Sequence, residues 1–474
     1  MDMEISAGKQ GNPGWHPRLV DGIRLKYLGI VEALADDVRS GLLPVGAKLP
    51  PQRAVAQALD VDLTTVTKAF NEARRRGLII ATVGRGTFIA PQAESTEKAP
   101  DHGARPVDLS MNIPPQPEAA AFARRLPEAM AHVLSPARSG SALLAYQESG
   151  GSANDRSYAA RWLGARLGWL DPERIVITAG SQNALFALCL GLMERGSVIA
   201  APALTYPGLQ SVAQRCGLRL YPLAMDEDGI LPDAFADLCS ASPPAALYLV
   251  PTIDNPTTAT LPVSRRQEIA AIARRFQVPV IEDDPYGMLP QLAPPPVATF
   301  APELTYHIAT VSKCVSPALR LAFVVAPEAT AAARLAGVLR ASNLMTSPLM
   351  AAVVSHWIDT GTLESITTTI RGENVARQVI AADALQGQAY RFHEEGHHLW
   401  LHLPEGWKAM DFAYQAERSG LSVVPAAAFA LSAPPYEAVR ISLGPPADRL
   451  ILRRALDTTA VLLRRAPQQG RVLV

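Results

Sequence analysis

Lysine almost vanishes from this chain after its first quarter: between residues 108 and 474 only Lys313 and Lys408 occur. Any chemistry there that needs a primary amine has two candidates. Cysteine is scarce too. Cys189, Cys216, Cys239 and Cys314 are scattered with neither a framework nor metal-ligand spacing, which excludes a disulfide scaffold and fits a reducing compartment. Long apolar runs are missing, and the first thirty residues lack the apolar core of a signal peptide. These absences exclude a membrane partner and predict a soluble, cytoplasmic protein. Net charge is also missing, with 44 Lys+Arg against 44 Asp+Glu. That balance hides a local bias: residues 16–90 hold eleven basic side chains against seven acidic ones. A basic end on a neutral chain points to a polyanion partner there.

A chain of 474 residues is long enough for two or three domains. Residues 91–107 are polar, without apolar periodicity, and read as a solvated linker. The division is therefore a first domain over 16–90, the linker 91–107 and a second domain over 108–474. In the first, Leu28, Val31, Leu34, Ala35 and Val38 recur at helical spacing, and Gly41 follows as a stop. Pro50-Pro51 opens a second helix whose apolar face holds Val55, Ala58 and Leu59, and the turn Asp60-Val61-Asp62 leads to a third helix over 63–76. Strand-like pieces over 78–82 and 87–90 follow, joined through 83–86. Helix, helix, turn, helix and hairpin outline a winged helix-turn-helix. After the linker, buried strands over 174–178, 197–200, 246–250 and 278–281 alternate with helical stretches, such as 184–192. This α/β pattern predicts a mostly parallel sheet with ligands at the carboxyl ends of its strands.

The third helix opens Leu63-Thr64-Thr65-Val66-Thr67-Lys68. Small hydroxyl side chains at a helix start can meet phosphates or base edges, and Lys68 adds charge one turn later. Arg74, Arg75, Arg76 and Arg85 at the wing tip add charge for the backbone, and Arg53 can reach the groove. The segment GLLPVGAKLPPQRAVAQALDVDLTTVTKAFNEARRRGLI, continued by GRGTFIA, resembles the N-terminal signature of the GntR family of bacterial regulators. The resemblance implies DNA contacts from Arg53, Thr64, Thr65, Lys68, Arg85 and Gly86. Pro51 stands where that family often has serine, and Leu63 where it has arginine or another polar residue.

Lys313 lies in Ala309-Thr310-Val311-Ser312-Lys313, with Arg320 seven residues on. A carbonyl cofactor such as pyridoxal phosphate needs one amine to form a Schiff base, and the Thr310 and Ser312 hydroxyls and the Arg320 guanidinium suit its phosphate. Asp283, at a strand end, can keep a pyridine nitrogen protonated, and Tyr286 and Asn255 can bond the phenolic oxygen. Gly180-Ser181-Gln182 joins a strand to a helix and offers amides and a helix dipole to a phosphate. Tyr206 offers a ring to stack on the pyridine.

From about Asp108 onward the chain resembles fold-type I pyridoxal-phosphate enzymes of the aspartate aminotransferase group. That likeness implies a Schiff base at Lys313 and Asp283 on the ring nitrogen, with Asn255 and Tyr286 on the phenolic oxygen. Tyr206 is then the stacking ring, with Ser181, Gln182, Thr310, Ser312 and Arg320 around the phosphate. Arg440 corresponds to the arginine that clamps a substrate carboxylate, and Tyr146 to a tyrosine that crosses to the neighbouring subunit's site. Thr310 replaces a more usual serine, and Ala201 stands where an acidic residue is common.

A GntR-type head on an aminotransferase-like body is the layout of the MocR/GabR group of regulators. It implies a homodimer that binds a double-stranded DNA operator and pyridoxal phosphate, and that responds to the cofactor or to an amine or amino-acid effector. A ligand preferring one domain arrangement would change the spacing of the two heads on their half-sites. A working aminotransferase carrying a DNA-binding head, or a repressor with a degenerate body, stays open. The string His393-Glu394-Glu395-Gly396-His397 spells a zinc-protease motif, but that motif needs a helix, and the following residues alternate like a strand. No metal site is expected.

Overall fold

The structure, a computed structural model, describes residues 15, 17, 26–39, 42–44, 46–75, 78–82, 86–90, 106–135 and 140–464. Two compact units divide the chain, Met1–Gly103 and Ala104–Val474.

The first unit holds α1 (Lys26–Arg39), α2 (Gln52–Leu59), α3 (Leu63–Arg75) and the antiparallel pair β1 (Ile79–Thr82) and β2 (Gly86–Ile89). Its core is built from one face of each element. Ile30, Val31 and Leu34 of α1 meet Val55 of α2, Val66, Ala69, Phe70 and Ala73 of α3, and Ile79 and Ile89 of the hairpin. The spacing 66, 69, 70, 73 is that of a single helix face. Pro51 ends α2 at its start, and Asp60, at φ 49° and ψ 52°, closes its other end. Asp62 begins α3 by accepting the Thr64 amide at 2.7 Å, satisfying a donor that a helix start leaves unpaired. Two expectations shift. Ala58 is exposed and Ala56 takes its place in the core beside Val55, while Ala35 is only half-buried and Ile30 and Ala33 complete that face. An eight-residue helix makes barely two turns, too short for its spacing to single out a face. Gly41 and the side chain of Leu28 lie outside the described residues.

The second unit opens with β3 (Val107–Asp108), then α4 (Phe122–Val133), α5 (Ala153–Leu167), β4 (Ile175–Thr178), α6 (Ser181–Leu192), β5 (Val198–Pro202), α7 (Pro207–Cys216) and β6 (Arg219–Leu223). A small hairpin, β7 (Met225–Asp226) and β8 (Gly229–Ile230), leads to α8 (Pro232–Ala241), β9 (Ala246–Leu249), α9 (Val263–Phe276), β10 (Val280–Asp283), α10 (Val297–Phe300), β11 (Thr305–Thr310) and β12 (Ala322–Val325). The chain continues through α11 (Ala329–Asn343), α12 (Pro348–Asp359), α13 (Thr362–Ala384), β13 (Tyr390–Phe392), β14 (His398–His402), α14 (Ala409–Arg418), β15 (Leu421–Ser422), β16 (Val424–Pro425), β17 (Ala438–Ser442) and α15 (Arg449–Leu463). Among the described residues, seven strands form the main sheet in the order β4-β12-β11-β10-β9-β5-β6. All neighbours are parallel except around β12, which runs antiparallel to β11 and β4. The mixed α/β class with a mostly parallel sheet is thus as the alternation predicts. β4, β9, β10 and β11 are buried on both faces, which is why β4 and β9 read as nearly continuous apolar runs, while β10 and β11 bury Glu282, Asp283 and His307 among their apolar residues. A second sheet, β13-β14-β17-β16, carries Arg440.

Two buried arginines and the partly buried Arg166 anchor the loops of this unit. Arg266 donates to the carbonyls of Leu261, Pro251, Pro294 and Pro295, fixing the loop that bears Asn255. Arg377 of α13 donates to the Leu443, Gly444 and Pro446 carbonyls, tying down the end of β17. Arg166 bridges Asp284 at 3.0 Å. A buried guanidinium is tolerated where its fork finds such acceptors. No helix among the described residues is long and apolar enough to cross a membrane.

Candidate functional sites

In the first unit the candidate DNA contacts gather at the start of α3. Thr64 and Lys68, four residues apart, lie exposed on one helix face, with Thr65 half-buried between them. Thr67 turns inward, its Oγ1 3.0 Å from Gln52 Oε1, so it joins α3 to α2. Arg53 on α2 and Gly86 at the start of β2 are exposed. Arg85 lies outside the described residues.

In the second unit the strand ends converge. Successive side chains of a strand face opposite ways, and β10 uses this to divide its carboxylates. Glu282 turns to one face, where it accepts the Val297 and Ala298 amides and lies 2.9 Å from His307 Nδ1. Asp283 turns to the other. Tyr248 of β9 donates its hydroxyl to Asp283 Oδ2 at 3.0 Å, while Oδ1 is buried without a partner. Burial pushes the Asp283 carboxyl up to about 7 against the pull of that hydroxyl.

Lys313 follows β11 by three residues, and its amine donates to the Asn112 carbonyl. Burial, with Arg440 nearby, lowers this amine to about 8. Lys408 is its opposite: exposed, capping α14 and paired with Glu437 at 3.0 Å. Arg440 sits 5.1 Å over the Phe429 ring, donates from Nη1 to Asn255 Oδ1 at 2.7 Å and from Nη2 to the Ser110 carbonyl. A guanidinium only donates, so Asn255 must present Oδ1 to it and keeps Nδ2 as a donor. Burial lowers Arg440 to about 10, and its Nε has no partner.

The remaining candidates surround the start of α6. Gly180 takes φ +89°, and a Cβ there would come within 2.9 Å of Arg320 Nη2, so only glycine lets Arg320 lie over this helix start. Gln182 donates to the Gly208 carbonyl at 3.0 Å, and a Cβ on Gly208 would collide with the Tyr206 ring. Tyr206 shares its surroundings with Asp283, Arg320 and Arg440. Thr310 Oγ1 lies 2.9 Å from the Leu321 carbonyl, which takes its proton, and 2.9 Å from Ser312 Oγ. Ser181 is the first residue of α6. Tyr146 alone stands apart, 82% exposed.

These residues fit pyridoxal phosphate. A buried carboxylate with an unpartnered oxygen needs a cationic donor, which a protonated pyridine nitrogen supplies. The start of α6 with Arg320 over it suits a phosphate. Asn255 Nδ2 and the Tyr286 hydroxyl are donors for a phenolate oxygen.

Several residues here escape a reading of the sequence. Tyr248 is a lone hydroxyl in an otherwise apolar strand, and that oddity was its one signal. Asn112 donates from Nδ2 to Tyr286 Oη at 2.8 Å and lies 3.3 Å from His398 Nδ1, yet nothing local marks it. The zinc-protease string forms the turn between β13 and β14 rather than a helix. His397 and His398 are fully buried there, each with its ring 5.6–5.7 Å from that of Tyr286.

Comparison with known proteins agrees with both units. Residues 104–456 match the model of aminotransferase class I and II, and residues 26–89 that of the gntR family of bacterial regulatory proteins. The chain is 29% identical to the HTH-type transcriptional regulator YdeF of Bacillus subtilis, covering 96% of this chain and 99% of that one. It is 27% identical to the vitamin B6 salvage pathway transcriptional repressor PtsJ of Salmonella typhimurium, covering 92% and 98%. Among solved structures, the α-aminoadipate aminotransferase LysN of Thermus thermophilus, complexed with N-(5'-phosphopyridoxyl)-L-leucine, aligns with a TM-score of 0.68 at 25% identity, covering 76% of this chain and 92% of that one. The chain therefore belongs to the aminotransferase class I and II family, joined to a gntR-family segment in the two-part layout of the MocR/GabR-type regulators.

Proposed function

We propose that this protein is a cytoplasmic transcriptional regulator that binds operator DNA through its first unit. Its second unit holds pyridoxal phosphate on Lys313 and senses the cofactor itself or an amine or amino-acid effector. The observation that carries this reading is the placement of the two late lysines. Lys408 is a surface ion pair, whereas Lys313 sits desolvated among Asp283, Arg440, Arg320 and the Asn112–Tyr286 contact. When bound, the cofactor supplies a carbonyl that condenses with amines and a ring that accepts electrons.

In this reading Lys313 carries the cofactor, Asp283 Oδ1 holds its ring nitrogen, and Asn255 and Tyr286 donate to its phenolic oxygen. Tyr206 stacks on the ring, while Ser181, Gln182, Ser312 and Arg320 bind the phosphate beside Thr310. Arg440 takes an effector carboxylate. Arg53, Thr64, Thr65, Lys68, Arg85 and Gly86 contact DNA from a head over 16–90, and a linker over 91–107 joins it to the body over 108–474. The exposure of Tyr146 supports a homodimer in which this ring serves the neighbouring site.

The test is a mobility shift on the DNA upstream of the protein's own gene, with cofactor-loaded protein, cofactor-free protein and Lys313→Ala. Specific binding that changes with the cofactor supports the sensor, and binding indifferent to all three states contradicts it. A second reading, an active aminotransferase with a DNA-binding head, is favoured by Arg440 and Lys313 sharing one site. Steady turnover of an amino donor with a keto-acid acceptor would establish it.

A further inference from the structure

Asn112 lies four residues past β3 and touches the candidate site through both its main chain and its side chain. We propose that Asn112 is a positioning residue of the cofactor site, its side-chain amide holding the Tyr286 oxygen so that the Tyr286 proton is offered to the cofactor's phenolic oxygen. The inference rests on the cofactor reading above.

The direction of the hydrogen bonds follows from elementary chemistry. His398 Nε2 lies 3.1 Å from the Asp254 carbonyl. A carbonyl only accepts, so Nε2 carries the proton. Burial, reinforced by Arg440, lowers His398 to about 3, so the ring is neutral and Nδ1 is bare. A bare nitrogen accepts, and the group facing it is Asn112 Nδ2 at 3.3 Å. That assigns the amide's orientation. Its nitrogen also faces Tyr286 Oη at 2.8 Å, so the Tyr286 oxygen accepts and its own proton is free. Turning the amide over would set Oδ1 against the bare His398 nitrogen and move Nδ2 to the side where Oδ1 has no partner. Among the described residues the Tyr286 hydroxyl has no other hydrogen-bond partner. The chain runs from the Asp254 carbonyl through His398 and Asn112 to Tyr286, and ends on a donor.

The consequence is readable in the cofactor's proton affinity. A phenolate that receives the Tyr286 proton holds the proton of the Lys313 linkage less tightly. Asp283 of β10, Arg320 and Arg440 of β17 are the charges acting on Lys313, and His397 and His398 face it as neutral rings. Tyr206 shares the same charged neighbours, and Asp254 faces Tyr286. The substitutions Asn112→Leu and His398→Phe leave all these charges in place.

The experiment is a pH titration of the visible absorption of the full-length, cofactor-loaded protein. It uses wild type, Asn112→Leu, His398→Phe, Tyr286→Phe and the Asn112→Leu/Tyr286→Phe double variant. Asn112→Leu and His398→Phe, which disable the amide from its two ends, are each expected to raise the midpoint by about one pH unit, a tenfold gain in proton affinity. Asn112→Leu should add nothing once Tyr286 is Phe, a result that mere loss of packing would not give. Unchanged midpoints in both single variants, or an equal shift with and without Tyr286, overturn the proposal. If wild type itself takes up no cofactor, the cofactor reading fails and the proposal with it.

Discussion

The two units carry function in opposite ways. In the first, the core is apolar and the candidate contacts, Arg53, Thr64 and Lys68, stand exposed on α2 and α3. In the second, the candidate groups Asp283, Asn255 and Arg440 are buried, and burial moves Asp283 and Lys313 towards neutrality. Exposed charges act through counterion release and are weakened by salt, whereas desolvated ones act at short range on one small molecule. The comparison teaches where each unit is fragile. The head depends on keeping its shape, and the body on keeping its polar partners matched.

Removing the one buried amine gives the largest expected effect. Lys313→Ala should abolish covalent cofactor attachment, seen as loss of the visible absorption that borohydride bleaches and of the pyridoxyl group that borohydride fixes to the chain, while the head stays folded and DNA-competent. Next is the head's own core. Phe70→Ala removes a fully buried ring and should cost about 3–5 kcal/mol, enough to melt a small domain and end operator binding. The cofactor absorption should survive it, and loss of both signals together would break the separation between units. Asp283→Asn replaces a charged contact to the ring nitrogen by a neutral one. Cofactor retention on dialysis should fall by about 10–100-fold, the equivalent of about 1.5–3 kcal/mol.

The pH dependence of cofactor uptake sharpens the contrast. Only the neutral amine attacks a carbonyl, and Lys313 becomes neutral above about 8. Uptake by the cofactor-free protein should therefore slow by about tenfold per pH unit below that value. Asp283, protonating below about 7, acts in the same direction. The rate should level off above about 8, and one that kept rising tenfold per unit well beyond that value would show that Lys313 is not held as a desolvated amine. The smallest effect belongs to the surface: Lys68→Ala should weaken operator binding several-fold and lower the slope of log affinity against log salt by about 1. DNA titrations at several salt concentrations check it.

The two regions also differ in how much of each can be read from the chain. The head is legible because its elements are consecutive and its signature is contiguous, and the departures are small: Ala56 replaces Ala58 on a two-turn helix, and Ile30 and Ala33 complete the α1 face where Ala35 is only half-buried. In the body, Lys313, Asp283, Asn255 and Tyr286 announce themselves by residue type at strand ends and in the loops that follow. Asn255 lies beyond the end of β9 rather than on it, carried on a loop held by Arg266, which the apolar pattern does not reveal. Asn112 and His398 are 286 positions apart and meet only because the segment after β3 and the start of β14 come together at Tyr286. No local pattern encodes such a meeting. The histidines even spelled a misleading motif, because spacing alone does not say whether a turn or a helix carries them.

The central claim is that the Lys313 site and the DNA-binding head share one equilibrium. Linkage makes this reciprocal: if the cofactor changes operator affinity by some factor, the operator must change cofactor affinity by the same factor. The most direct measurement is an absorbance titration of the cofactor-free, full-length protein with pyridoxal phosphate, in the presence and absence of saturating operator DNA. The account predicts a displaced binding curve whose shift equals that seen in the DNA titrations. Superimposable curves with and without operator, on protein that binds both ligands, would contradict it.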